Sequence, residues 1–184
     1  MKGLQVEIRP ILHNELPLIE KHLDFDWGNP GKHGDRLVRQ HIGTVVYLVA
    51  WLASVPVGHV LIVWDGCDDE PMRSGDEPMR SGLAGCPNLE DAVVAPQHRS
   101  KGIGSRLLDT AEALARQNGF SRIGLGVALD NPRAQTLYER QGYRNSGFNE
   151  YTTRGRYIDR DGQEQFWEET CNYLIKQVGR DESD

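Results

Sequence analysis

The sequence predicts a mixed α/β domain, on three observations. An apolar β-type run at Ala92, Val93 and Val94 turns at Pro96 into a polar, glycine-containing segment, and a helical pattern follows in which Ile103, Leu107, Leu108, Ala111, Leu114 and Ala115 recur on one face. Two segments rich in β-branched and aromatic residues, 44–52 and 55–64, are separated only by Ala53-Ser54 and read as a hairpin. A second strand-then-helix passage occupies 122–142.

In chain order, Val6, Ile8 and Pro10 suggest a first strand ending near Pro10. Asn14 is placed to cap a helix running to about Leu23, with Leu16, Ile19 and Leu23 on one face. Residues 24–34 read as a loop; Phe25, Trp27 and His33 in it either line a pocket or anchor the loop to the core. A short helix follows over 35–41, then the hairpin. Residues 65–87 form a long polar loop in which the unit Asp69-Glu70-Pro71-Met72-Arg73-Ser74-Gly75 is repeated unchanged as 76–82. A tandem insertion tolerated at a surface loop explains it, and so does a flap beside a binding site. The next strand is 88–94 and the helix after the glycine segment is 105–118, with Gly119 as its stop. In the strand 122–129, Ile123, Leu125, Val127 and Leu129 share one face while Gly124, Gly126 and Ala128 leave the other nearly bare, room for a ligand slot or a packed helix. Asp130-Asn131-Pro132 opens the next helix, which ends at Gly142. Strands over 147–157 and 165–176 meet at a turn around Asp161-Gly162.

Length and composition bound the rest. The 184 residues suit one domain over 1–178, with a flexible acidic tail over 179–184. A net charge of −6 argues against nucleic acid as a partner and is compatible with a cationic, amine-bearing one. Cys67, Cys86 and Cys171 form no metal-binding spacing and read as reduced thiols of a cytoplasmic protein, although a clip between Cys67 and Cys86 is conceivable. The uncharged run 42–64 is long enough to imitate a membrane span, but its Ser54, Pro56, Gly58 and His59 and its period-two stretches favour the hairpin and no membrane.

Chemistry concentrates between Val94 and Ser105. A strand, a short glycine loop and a helix N-terminus present main-chain N–H groups that lack intrahelical partners, and the helix dipole favours negative charge there. Gly102 and Gly104 let a bulky phosphate approach the backbone, and Arg99 and Lys101 add positive charge. The string is not a P-loop, and Leu107 stands where a dinucleotide fingerprint needs its third glycine. What does fit is Arg99-Ser100-Lys101-Gly102-Ile103-Gly104, which resembles the [Q/R]-x-x-G-x-[G/A] signature of the GNAT superfamily of acetyl-CoA-dependent N-acetyltransferases. A second block, from Asn131 to Tyr143, resembles that family's N-x-x-A-x-x-L-Y-x-x-x-G-[F/Y] helix and turn. The resemblance covers about 6–178 and implies a twisted, mostly antiparallel central sheet, splayed at the acetyl-CoA site, with helices on both faces.

The resemblance also implies roles. The pyrophosphate of acetyl-CoA would lie on the backbone of Ser100, Lys101, Gly102, Ile103, Gly104 and Ser105, beside Arg99, while the pantetheine arm would pair with Ala92, Val93 and Val94 as a partial strand. Asn131 matches an asparagine that contacts the arm, and it is equally placed to cap the helix at Pro132. Tyr138 matches the general acid that protonates the leaving thiolate, or is a core tyrosine packed with Leu137 and Tyr143. The glutamate that peptide N-terminal acetylases carry five residues before the asparagine is absent, since Gly126 stands there. The strand Leu89-Glu90-Asp91-Ala92-Val93-Val94 resembles that of several small-amine acetylases, which points to Glu90 as the base. Strand alternation would put Glu90 on the face of Ala92 and the runner-up Asp91 on the other; alternatively these acids bind the substrate cation or pair with neighbours. The implied reaction is direct attack of an amine on the thioester, with acetyl-CoA as cosubstrate, no metal, an amine-bearing small molecule or a protein amine as acceptor, and a possible homodimer. Trp27, His33, Tyr151 and Tyr157 are candidates to shape the acceptor pocket. An acyl-CoA-binding sensor without catalysis and a transferase of a bulkier acyl group share the same signatures.

Overall fold

The computed structural model describes residues 5–23, 31–67 and 83–179. The expectations for Phe25 and Trp27, for the duplicated segment 69–82 and for the tail beyond Gly179 lie outside the described residues. In chain order the elements are β1 (Val6–Pro10), α1 (Leu16–Leu23), α2 (Lys32–Ile42), β2 (Val45–Leu52), β3 (Val55–Val63), β4 (Asn88–Val94), α3 (Ile103–Gln117), β5 (Arg122–Ala128), α4 (Pro132–Arg140), β6 (Arg144–Asn145), β7 (Tyr151–Ile158) and β8 (Glu164–Gln177).

The strands form one sheet in the order β1-β2-β3-β4-β5-β8, with β6 and β7 both along the far edge of β8. Every pairing is antiparallel except β4 with β5. Helices cover both faces. On one face the aliphatic stripe of α3 (Ile103, Leu107, Leu108, Ala111, Ala115) packs with Leu48, Val60, Ile62, Leu89, Ile123, Leu125 and Leu174, and Tyr138 of α4 joins this core. On the other, Ile19 and Leu23 of α1 and Leu37 of α2 pack against Val45, Tyr47, Val49, Leu61 and Val63. The period-two pattern of β2 and β3 is thus buried on both sides, which is why 42–64 carries no charge.

The β2–β3 hairpin turns through Ala53 and Ser54, both at positive φ (48° and 66°). That is the backbone a two-residue hairpin with right-handed twist requires, adopted here without glycine. Three helix starts differ from the sequence expectation, the smallest difference being that α3 begins at Ile103, two residues before Ser105. Asn14 is not a cap; it sits within a 3₁₀ turn (His13–Glu15), and Glu15 accepts from the Leu12 N–H at 2.8 Å. The second helix begins at Lys32, three residues before Asp35, so His33 and Arg36 are helical. The strand β6 was not foreseen, being two residues long and defined only by its pairing with Ile175 and Leu174.

The bare face of β5 holds neither a slot nor a helix. A Cβ on Gly124 would lie 2.5 Å from the Tyr173 ring, and one on Gly126 would lie 2.3 Å from the Tyr151 hydroxyl. Both glycines make room for tyrosines, Tyr173 of the adjacent β8 and Tyr151 of β7 beyond it, which close a small third core with Cys171. No disulfide joins the three cysteines. Among the described residues no helix is long and apolar enough to cross a membrane.

Candidate active site

The phosphate-loop reading rests on local geometry. Ser100 (φ 60°) and Gly102 (φ 78°) both take left-handed backbone, which turns the chain sharply into α3. Among the described residues no group accepts a hydrogen bond from the main-chain N–H of Ser100, Lys101, Gly102, Ile103, Gly104 or Ser105; the helical ladder starts with Arg106 N–H donating to the Gly102 carbonyl at 3.1 Å. Such a row of unfilled donors at a helix start is an anion cradle. A Cβ on Gly102 would meet nothing within 4 Å, so the space before it is open. Gly104 has a different reason: its Cβ would come within 3.2 Å of Leu137, and its absence lets α4 approach α3.

The basic side chains brace the loop. Arg99 Nε donates to the Val94 carbonyl at 2.9 Å and Lys101 Nζ to the Gln97 carbonyl at 2.9 Å. Arg133 of α4 donates to Ser100 Oγ at 3.2 Å, adding a third cation that the sequence reading did not single out. Its signal was available, since it follows Pro132 at the start of the second motif. Asn131 caps α4, its Oδ1 accepting from Ala134 N–H at 3.1 Å.

Beside this loop, β4 and β5 part company. Their parallel ladder consists of Asn88↔Gly124 and Leu89↔Leu125 alone. Toward β3 the ladder continues to Val94, but the register jumps: Leu61 pairs with Glu90, while His59 pairs with Val93. Two residues, Asp91 and Ala92, therefore oppose Val60 alone, a β-bulge. Asp91 carries the bend at φ 48°, which costs an L-residue about 1–2 kcal/mol. The bulge interrupts the alternation assumed from sequence. Asp91 does not turn away from the layer that Glu90 faces; its carboxylate accepts from Arg36 of α2.

Glu90 is half-buried and accepts from Asn88 Nδ2 at 3.2 Å; Asn88 Oδ1 accepts from the Tyr173 hydroxyl at 3.0 Å. Gly124 enables this relay, because only a glycine lets the Tyr173 ring lie flat enough on β5 for its hydroxyl to reach β4. Tyr138 is 8% exposed, with its ring edge-on to Tyr143 at 6.0 Å. Burial pushes its hydroxyl up to about 12, and the charge of Asp91 adds to the rise. It therefore stays protonated at any physiological pH.

Behind Asp91 lies a polar cluster that composition and motifs did not reveal. Arg36 stacks over the Tyr47 ring at 5.5 Å, the Tyr47 hydroxyl lies 2.7 Å from His33 Nδ1, and His59 stands edge-on to both His33 and Tyr47 at 5.6 and 5.5 Å. His33 thus belongs to this buried cluster. Tyr151 and Tyr157 lie on β7, on the same ribbon face as Trp167 of β8, with Tyr151 buried over Gly126. Two surface hollows of about 430 and 480 Å³ lie elsewhere, on the β7–β8 ribbon and beside the outer face of α4. The candidate site is accordingly the stretch where β4 diverges from β5. Among the described residues no cluster of three His, Cys, Asp or Glu side chains could hold a metal.

Comparison with known proteins bears on this arrangement. The profile of the acetyltransferase (GNAT) family matches residues 16–143. YhfO, an uncharacterized N-acetyltransferase of Bacillus subtilis (strain 168), is 42% identical over 64 residues, 34% of this chain and 43% of that protein. The curated relatives are matched over 29–43% of their own length. Among solved structures, an N-acetyltransferase from Staphylococcus aureus Mu50 superposes with a TM-score of 0.64 at 11% identity, over 95% of this chain and 99% of that one. The PaiA N-acetyltransferase of Thermoplasma acidophilum, in complex with coenzyme A, gives 0.60 at 14% identity, over 94% and 99%. At these identities the structural likeness is one of fold, whereas the family profile spans both signature blocks and the bulged strand between the helices. The chain belongs to the acetyltransferase (GNAT) family.

Proposed function

We propose that this protein transfers an acetyl group from acetyl-CoA to a primary amine by direct attack, without a covalent enzyme intermediate. The observation that carries this reading is the run of six main-chain N–H groups, Ser100 to Ser105, left without internal acceptors beside the gap where β4 leaves β5. A diphosphate satisfies those donors, with Arg99, Lys101 and Arg133 around it. The pantetheine amides then take the strand-edge groups of Ala92 and Val93 that β5 leaves unpaired. The Val94 carbonyl already accepts from Arg99, so it contributes less. Asn131, whose Oδ1 is engaged as a cap, keeps its amide NH₂ for the arm.

The acceptor must arrive as a free amine. Glu90, oriented by the Asn88–Tyr173 relay, removes a proton from the ammonium directly or through a water. Asp91 is the poorer base, because its carboxylate, which burial alone would raise, is held below the usual range by the neighbouring His59 and by Arg36. The amine nitrogen then bonds to the thioester carbonyl carbon and the carbon–sulfur bond breaks. The departing thiolate takes its proton from the Tyr138 hydroxyl, whose buried position favours the neutral form beforehand. Acidic and aromatic groups on the Glu90 side of the sheet favour a cationic acceptor, in keeping with the net charge of −6.

Calorimetric titration with acetyl-CoA, followed by thiol release across a panel of polyamines, amino acids, aminoglycosides and peptides, tests the proposal. Saturable binding and amine-dependent thiol release are expected. Absence of acetyl-CoA binding would remove it.

A further inference from the structure

The bend in β4 is carried by a residue that resists it. Asp91 has a Cβ and sits at φ 48°, where a glycine would sit without strain. The β3 ladder is offset by one residue across this point, Leu61↔Glu90 on one side and His59↔Val93 on the other, so an extra residue is accommodated here, but the ladder does not require that residue to be an aspartate. What does meet Asp91 is Arg36, on a helix 55 residues earlier in the chain, whose Nη2 donates to the Asp91 carboxylate. Both side chains are largely buried, at 14% and 21% exposure. Arg36 is itself fixed by three elements: it belongs to α2, it lies over the Tyr47 ring of β2, and it neighbours the buried His59 of β3. The pair therefore ties the bulge to the helix layer at the point where β4 separates from β5.

We infer that Arg36 and Asp91 are positioning residues: their ion pair keeps β4 bulged and so holds residues 92–94 clear of β5, open to the acyl donor. This rests on the acetyl-CoA reading given above. Neither residue touches the reacting atoms. The pair acts through the backbone it bends.

Glycine provides the decisive variant, because it adopts positive φ freely and makes the bulge self-supporting. Asp91→Ala keeps the strain and loses the pair, and Arg36→Met leaves the carboxylate unpaired. Each is expected to weaken acetyl-CoA binding about tenfold or more, in Kd and KM, while kcat at saturation falls by less than about fivefold. The double variant Arg36→Met/Asp91→Gly removes strain and both charges together, and is expected to bind within about threefold of wild type. Hydrogen exchange without substrate supplies a separate reading: Arg36→Met changes amide protection at 91–94 and leaves β8 as it was.

Three results would overturn the clamp: wild-type affinity and exchange in Arg36→Met, a double variant no better than Asp91→Ala, or a double variant that binds normally but loses turnover. The last would make the Asp91 carboxylate a chemical participant. If wild type itself binds no acetyl-CoA, the clamp falls together with the functional reading beneath it. That failure is recognisable because it appears before any substitution is made.

Discussion

Two Gly-x-Gly triplets, almost alike as text, have different uses in this molecule. Around Gly102-Ile103-Gly104 the first glycine faces open space and its φ of 78° sets the loop; around Gly124-Leu125-Gly126 both glycines are covered by tyrosines, Tyr173 of β8 and Tyr151 of β7. Gly102 leaves open space before it, whereas Gly104 makes room for Leu137 of α4. The second triplet is shaped for the chain itself, since it lets Tyr173 reach Asn88 and, through it, Glu90. A missing side chain says only that something comes close. What comes close is decided by the surface opposite.

Substitutions at the two triplets should separate along that line. The largest effect is expected from Gly102→Asp, which places a carboxylate in the cradle. Acetyl-CoA affinity should drop by about a hundredfold or more, from like-charge repulsion and lost approach, while stability falls only by about 1–2 kcal/mol, the cost of an L-residue at the left-handed backbone of Gly102. Calorimetry and a thermal melt on the same sample check both halves; retained affinity would move the phosphate elsewhere. Tyr138→Phe comes next, with turnover lower by about a hundredfold and coenzyme binding near normal, the range expected when one general acid is removed. Steady-state kinetics decide it, and unchanged kcat would leave Tyr138 as a packing residue.

The second triplet should respond in stability. Gly124→Ala drives a methyl group to 2.5 Å from the buried Tyr173 ring, so the ring must move and its bond to Asn88 suffers. A loss of about 1–3 kcal/mol is expected, as for other overpacked cores, read by denaturant unfolding. Tyr173→Phe, which keeps the ring and deletes the hydroxyl, should cost about 1 kcal/mol. If Glu90 depends on the relay, this variant also lowers turnover at unchanged coenzyme affinity.

An acid limb in stability is expected as well, spread over several pH units. Burial holds His59 down to about 3, against a usual 6.5, with Asp91 opposing that shift and Arg36, His33 and Lys32 reinforcing it. Between those values the unfolded chain binds a proton that the folded one does not. Stability contributed by the neutral ring is complete above pH 6.5 and falls as pH drops toward 3, by up to about 1.4 kcal/mol per pH unit. Asp91 adds in the same direction: its carboxyl is held low, so its contribution is present above the ordinary carboxylate range and fades below it. His59→Leu should flatten the limb between pH 6.5 and 4 in pH-dependent melts.

Much of the candidate site was legible in the sequence for a physical reason. A helix N-terminus and the loop before it form their anion cradle from consecutive residues, so the Arg99–Ser105 string contains nearly all that is needed. The same holds for the cap at Asn131, which is satisfied three residues later. The face assignments of Glu90 and Asp91 were not legible. Period-two alternation fails at a bulge, and this bulge answers to Arg36, on an element whose start the sequence misplaced by three residues.

The sequence alone determined the alternation of strands and helices, the buried hairpin and the loop of unfilled amides, because each depends on residues near one another in the chain. Tertiary structure alone decided where β4 turns from β5, what fills the face of Gly124 and Gly126, and that Arg36, His33 and His59 meet behind Asp91. Those outcomes depend on contacts between groups tens of residues apart, and no local pattern encodes which distant side chain will occupy the space a glycine leaves.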